Sequence, residues 1–269
     1  MYLAINYSTQ AAALLHEGRI QIDRFKCPPW PDMIAEASPL CPVAVHFELK
    51  AGNAGLRETN WAPLHAFLEE TGTPFINLHL NPTIKHYPGF SVDTTQPNQV
   101  ERVIQQMIED VNAVVDEFGA PRVIVENVPY RGLQGKVLRP AVEPQVILQV
   151  LNATGCGLLL DISHARIAAH HLGMDEKVYL AQLPTDRLRE LHFTGLHNLN
   201  GRLQDHLEIL ETDWPCLDWV LERIRTGEWN KPWMLAFEYG GVGEKFAAHS
   251  DPQVIAEQVP LLYRRVRDI

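Results

Sequence analysis

Short apolar or β-branched runs alternate with helix-period segments along the whole of this chain, and few folds accommodate that alternation. Eight runs read as strands: Tyr2–Tyr7, Ile20–Phe25, Val43–Leu49, Phe75–Leu80, Arg122–Val128, Gly157–Ile162, Arg189–Thr194 and Met234–Tyr239. Between them, TQAAALLHEG, NWAPLHAFLEETG, QVERVIQQMIEDVNAVVDEFG, EPQVILQVLNATG, PCLDWVLERIRTG and DPQVIAEQVPLLYRRVR carry helical periodicity. In the third, Val100, Val103, Ile104, Met107, Ile108, Val111, Val114 and Val115 share one face. Gly18, Gly72, Gly119, Gly155 and Gly227 close several of these segments, as glycine does at helix C-termini. The alternation predicts an α/β protein, a (β/α)8 TIM barrel, formed as a single domain over residues 1–269. The length suits it, since such a barrel needs roughly 250 residues. An open doubly wound sheet would usually carry a Gly-rich phosphate loop after an early strand, and none is visible.

Carboxylates and imidazoles then mark the strand ends. Glu126 ends VIVEN, Asp161 and His164 end GLLLDISH, His192 lies in LRELHFTG, and Glu238 ends MLAFE. Burying such groups unpaired is expensive. A divalent cation solves the problem, because it compensates several carboxylates and accepts neutral imidazole nitrogens. The pattern therefore predicts a metal site at the C-terminal rim of the barrel. The long loops Asn81–Asn98 and Gly195–Pro215 fall at the same end, where barrel enzymes do their chemistry.

Each residue also has a plainer reading. Asp161 alone reads equally as the N-cap of the helix ISHARIAAHH, with His164 merely inside it. Glu126 and Glu238 read as buried carboxylates paired with a cation, or as strand-end residues that bridge metals or act as acid and base. A lone strand histidine is more often a packed core residue than a ligand, but His192 and His79 (in FINLHLNP) have company. In VAVHFEL, His46 and Glu48 share a face by period-2 alternation, and Lys50 continues the series. Asp205 and His206 are adjacent in the loop after His192; neighbours usually diverge, so one of them, His206 by preference, is expected to bind. His16, His65, His86, His170, His171 and His249 fall on helices or outer loops and read as surface residues. Asn6, Lys26 and Asn127, near strand ends, are the expected substrate contacts.

Other chemistries find little support. Lys+Arg 23 against Asp+Glu 33 gives a net charge of −10, which supplies no bulk attraction to nucleic acid or to anionic membranes. Cys27, Cys41, Cys156 and Cys216 lack CxxC spacing, so neither a zinc ribbon nor a disulfide framework is indicated. Cys27, in DRFKCPPW, is the one cysteine placed like a nucleophile. No Ser/His/Asp triad stands out. The start, MYLAINYSTQ, does not have the form of a signal peptide, and no apolar run approaches the ~20 residues of a membrane span. A cytoplasmic protein is expected.

The order of these residues resembles the xylose isomerase-like TIM-barrel superfamily, whose core is Glu, then Asp-x-x-His, then His, then Glu at successive strand ends. Glu126, Asp161, His164, His192 and Glu238 match it position by position, and the resemblance spans nearly the whole chain. Ketose 3-epimerases of that superfamily use one metal, with the two glutamates as acid and base. Endonuclease IV uses three zinc ions, with two earlier histidines and an Asp-x-His pair. The multinuclear non-haem iron oxidative enzymes, which modify peptide cysteines in methanobactin biosynthesis, use a similar expanded set. His46 and His79 occupy the places of the earlier histidines. The loop pair departs from the pattern: either Gln204 stands in for the Asp, or Asp205 binds and His206 does not.

The expanded set favours the multinuclear branches. LLLDISHARIAAHHLG, LPTDRLRELHFTGLH and DHLEILETDW look most like the iron oxidative enzymes. That resemblance implies two or three divalent ions (Fe, Zn or Mn) per chain, with Glu126 and Glu238 bridging metals or relaying a proton. It implies a small-molecule or peptide substrate and, by family analogy, a partner protein that delivers it. A mononuclear sugar isomerase or epimerase, an endonuclease IV-like phosphodiesterase and a non-catalytic barrel are the alternatives.

Overall fold

The computed structural model describes residues 1–240 and 250–269. Its strands are β1 (Tyr2–Asn6), β2 (Arg24–Cys27), β3 (Val43–Val45), β4 (Leu49–Ala51), β5 (Ile76–Leu80), β6 (Val123–Glu126), β7 (Gly157–Asp161), β8 (Leu188–Phe193), β9 (Gly195–Leu199), β10 (Arg202–Leu207) and β11 (Met234–Phe237). Its α-helices are α1 (Thr9–His16), α2 (Pro31–Ala37), α3 (Ala62–Thr71), α4 (Pro97–Phe118), α5 (Pro144–Thr154), α6 (Ile162–Leu172), α7 (Glu176–Ala181), α8 (Trp214–Arg225) and α9 (Pro252–Arg267). Parallel strands alternating with helices place the chain in the expected α/β TIM-barrel class. Every segment with helical periodicity in the sequence is a helix, and Gly119 and Gly155 close α4 and α5 with φ of 81° and 72°.

By internal contacts the chain falls into two compact units. One comprises Met1–His46, Leu64–Thr73 and Arg189–Ile269; the other comprises Phe47–Pro63 and Pro74–Leu188. In the first, parallel strands run in the order β3-β2-β1-β11-β8. Register aligns Ala4 with Ala236, and Ala236 with His192. Ala4, Ala44, Met234 and Ala236 form a buried cluster on the strand face that carries Lys26 and His192. The three alanines leave room on that face for longer polar side chains.

In the second unit the order is β7-β6-β5-β4, also parallel. Helix α4 packs Val103, Ile104, Met107, Val111, Val114 and Phe118 inward. Each such side chain contributes about 1.5–3 kcal/mol on burial. Asp110 sits on that buried face, and its Oδ2 accepts the backbone N–H of Gly52, Asn53 and Ala54 at 2.7, 3.0 and 3.1 Å. The loop after β4 is thereby tied to α4.

Three boundaries differ from the sequence reading. The strand expected over Val43–Leu49 is broken into β3 and β4. The amide of Asn77 accepts from the Phe47 N–H and donates to the Phe47 carbonyl, taking the place of a strand partner. The strand expected over Ile20–Phe25 starts at Arg24, because Asp23 turns the chain: its N–H donates to the Leu3 carbonyl and its carboxylate accepts from the Leu3 N–H. The loop expected over Gly195–Pro215 contains the antiparallel hairpin β9–β10. Gly195 is required there by space, since a Cβ would stand 1.6 Å from the Glu208 carbonyl oxygen.

Candidate metal-binding residues

In the second unit, β5, β6 and β7 end side by side and carry His79, Glu126 and Asp161. The register pairs His79 with Glu126 directly. Glu126 is 1 % exposed and Asp161 3 %, so both carboxylates are out of water. Glu126 Oε2 lies 3.1 Å from His79 Nε2, and its Oε1 lies 3.4 Å from His164 Nδ1. Asp161 does two things. Its Oδ1 accepts from the His164 backbone N–H at 2.7 Å, which makes it the N-cap of α6, and its Oδ2 stands 3.6 Å from His164 Nδ1. The capping and cluster readings of this residue both hold. Glu126, Asp161 and His164 offer ligand atoms that all lie within 4.8 Å of one another. Two buried carboxylates with imidazole neighbours form a donor set that suits a divalent Zn, Mn or Fe ion.

Backbone carbonyls aim these imidazoles. His79 Nδ1 lies 3.3 Å from the Leu49 carbonyl oxygen, and His164 Nδ1 lies 3.0 Å from that of Asn127. A carbonyl only accepts, so each Nδ1 donates a proton there. Asn127, expected as a substrate contact, is bound to Asp161. It is buried, its Nδ2 donates to the Asp161 carbonyl and its Oδ1 accepts the Asp161 N–H, both at 2.9 Å. Its amide is spent on holding Asp161.

In the first unit, β1, β2, β8 and β11 bring together Asn6, Lys26, His192 and Glu238. His192 is fully buried; its Nδ1 lies 3.0 Å from Glu238 Oε1, and its ring centroid is 5.1 Å from that of His46. Lys26, expected near substrate, is buried with its ammonium donating to Glu238 Oε1. Asn6 is buried beside it in register, and its Oδ1 has no hydrogen-bond partner among the described residues.

His206 owes its direction to a β-bulge. The register of β9 and β10 shifts between Gln204 and Leu207, and His206 takes φ +62°. A bulge re-aims side chains, and a left-handed non-glycine residue is strained. The His206 N–H donates to Thr194 Oγ1 at 3.0 Å, and its Nδ1 lies 3.0 Å from the Glu238 carbonyl oxygen. Asp205 and His206 offer ligand atoms within 4.8 Å of each other. The adjacent pair therefore converges, where a regular strand would point the two apart.

Other expectations fare unevenly. Glu48 and Lys50 are exposed, because the strand break interrupts the alternation that linked them to His46. His16, His65, His86, His170 and His171 are exposed as read, and His249 lies outside the described residues. All four cysteines are buried thiols outside any disulfide among the described residues, and burial pushes the Cys27 thiol up to about 12, against a smaller opposing pull from Lys26. That is the opposite of an activated nucleophile. Among the described residues no helix is long and apolar enough to cross a membrane. Glu190 escaped the sequence reading: it is 5 % exposed and its Oε1 lies 2.8 Å from His192 Nε2. Its i, i+2 spacing to His192 in LRELHF was the available signal.

The fold and these residues can be set beside known proteins. A D-psicose 3-epimerase with D-tagatose from Clostridium cellulolyticum H10 superposes with a TM-score of 0.54 at 13% identity, covering 99% of this chain and 98% of that one. An AP endonuclease, family 2, from Brucella melitensis gives 0.58 at 15% identity, covering 93% and 97%. At such identities the likeness shows the TIM-barrel fold alone. A UPF0276 protein of Rhizorhabdus wittichii is 27% identical over 157 residues, 57% of this chain and 54% of that protein. The chain spans about half the length of the curated relatives it matches. One family, described as RiPP precursor modification enzyme MbnB/TglH/ChrH, matches residues 26–228. It agrees with the peptide-modifying branch that the strand-end motifs resemble. With most of its length matched, the chain belongs to the RiPP precursor modification enzyme family MbnB/TglH/ChrH.

Proposed function

We propose that this protein is a metal-dependent oxidative enzyme that modifies a peptide, and that it holds two or three divalent ions, iron foremost. The ligands are His46, His79, Glu126, Asp161, His164, His192, Asp205, His206 and Glu238. The observation that carries the reading is the buried trio Glu126, Asp161 and His164, whose ligand atoms lie within 4.8 Å of one another. Buried carboxylates beside imidazoles are costly without a cation. Membership of a peptide-modifying family supports the substrate class. The net charge of −10 weighs against nucleic acid as substrate.

Bound iron would supply a Lewis acid for a substrate thiolate or oxygen and a centre for activating O2. The chain's own residues do the rest. Glu126 and Glu238 would hold metal or relay a proton. The Lys26 ammonium, hydrogen-bonded to Glu238, sets the charge at that carboxylate. Asn6 Oδ1, buried with no partner among the described residues, is an acceptor for a substrate N–H. Burial of His192 and Glu126 keeps water from those ligand positions. A peptide substrate delivered by a partner protein completes the proposal.

Elemental analysis of anaerobically purified protein tests it. Two or more metals per chain, with iron among them, and O2 consumption with thiol peptides are expected. A single manganese or zinc ion would instead favour a mononuclear sugar isomerase. Protein that stays metal-free when titrated with iron, manganese or zinc would refute the reading.

A further inference from the structure

We propose that Glu190, clamped by Trp233, is the positioning residue that makes His192 offer Nδ1, and not Nε2, to a metal. The inference rests on the metal-binding reading above. Glu190 and His192 alternate onto one face of β8, where their register partners are Met234 and Ala236. Glu190 Oε1 lies 2.8 Å from His192 Nε2, and Glu190 Oε2 accepts from the Trp233 indole N–H at 2.8 Å. The Nε2–Glu190 contact has hydrogen-bond geometry and an ionised carboxylate only accepts, which assigns the proton to Nε2. Nδ1 is then the lone-pair nitrogen, and it is the one that faces Glu238 Oε1, 3.0 Å away.

Three of the other candidate imidazoles are held the opposite way round. His79, His164 and His206 each place Nδ1 on a backbone carbonyl, of Leu49, Asn127 and Glu238. Each therefore keeps Nε2 for a metal. In His192 the nitrogen behind is hydrogen-bonded to a carboxylate in place of a carbonyl, and a carboxylate raises the basicity of a ligating imidazole more than a carbonyl does. The clamp is itself fixed. The Arg24 guanidinium lies 5.2 Å from the Trp233 ring centroid, and the Tyr2 ring meets it edge-on at 6.4 Å. The Trp233 backbone N–H donates to the Arg189 carbonyl, one residue before Glu190. Glu190 thus has no free oxygen with which to swing away from His192.

Two measurements test this on the full chain: nitrogen-15 histidine spectra without added metal, assigned with H192Q, and Co2+ titration followed by visible absorption. In the wild type, His192 Nε2 is expected to carry a proton. E190L, which removes the acceptor, is expected to weaken Co2+ binding by about 10–100-fold, with an altered absorption band. E190Q keeps an acceptor and is expected to recover most of that loss, which a purely structural role would not predict. W233F is expected to give a smaller loss with the Co2+ count at saturation unchanged. A bare Nε2 with the proton on Nδ1 in the wild type would overturn the proposal. So would wild-type Co2+ affinity and spectrum in E190L. If E190L does not fold, the wild-type spectrum and W233F decide. If the wild type takes up no Co2+, the metal-binding reading fails, while the tautomer still decides how Glu190 holds His192.

Discussion

Asn127→Ala separates a positioning role from substrate contact. The Asn127 amide makes two hydrogen bonds of 2.9 Å, one from the Asp161 N–H and one to the Asp161 carbonyl. Asp161 is the N-cap of α6, so its carbonyl keeps the first bond of that helix when the amide is removed. The N–H loses its 2.9 Å acceptor in a buried place. An orphaned buried donor costs about 1–3 kcal/mol, and the second lost bond about 0.5–1.5 kcal/mol. Together that is about 2–4 kcal/mol. For a chain of this size, 1 kcal/mol moves Tm by roughly 2 °C, so a fall of about 4–8 °C is expected. Circular dichroism melts of metal-free protein read it. Asp161 would also lose its fixed direction, and metal affinity is expected to fall about 10-fold or more in a Co2+ titration. An unchanged Tm and Co2+ affinity, with a raised KM for a peptide substrate, would refute the reasoning and restore Asn127 as a substrate contact.

Other perturbations follow from the same geometry. Lys26→Met strands the buried Glu238 carboxylate, which costs about 3–5 kcal/mol; the loss should be clear in metal-free melts and smaller in metal-loaded ones, because a cation replaces the ammonium. Equal losses in both states would argue against a metal at Glu238. Gly195→Ala puts a Cβ 1.6 Å from the Glu208 carbonyl oxygen, so β9 and β10 must move and carry Asp205 and His206 with them; fewer metals per chain are expected, and a wild-type count would refute it. Cys27 has a thiol pushed up to about 12 by burial, so native protein at pH 8 is expected not to react at this thiol with a disulfide reagent. In the unfolded chain that thiol ionises near its ordinary value of 9.0. Between those two values the unfolded state binds fewer protons, so Cys27 lowers stability as pH rises, measurable as a falling urea midpoint.

The periodicities carried most of the architecture. Apolar residues at helix spacing located α4, and apolar runs located β5, β6, β7, β8 and β11 to within a few residues. Because each run is short, its last polar residue had to fall at the strand end, which is why Glu126, Asp161 and Glu238 could be picked out without a structure. Local signals of this kind depend on neighbours a few positions away, and side-chain direction repeats with the backbone.

What escaped depends on partners distant in the sequence. Asn77 breaks a strand 30 positions earlier, and Asn127 holds Asp161 34 positions later. Trp233 pins Glu190 from 43 positions away. The bulge that turns His206 is likewise a property of the β9–β10 pairing and not of Asp205-His206 itself. The sequence alone thus determined which residues reach the strand ends, through alternation and apolar runs. Only the tertiary structure decided which nitrogen of each imidazole donates, because that choice belongs to whichever acceptor the fold places behind the ring.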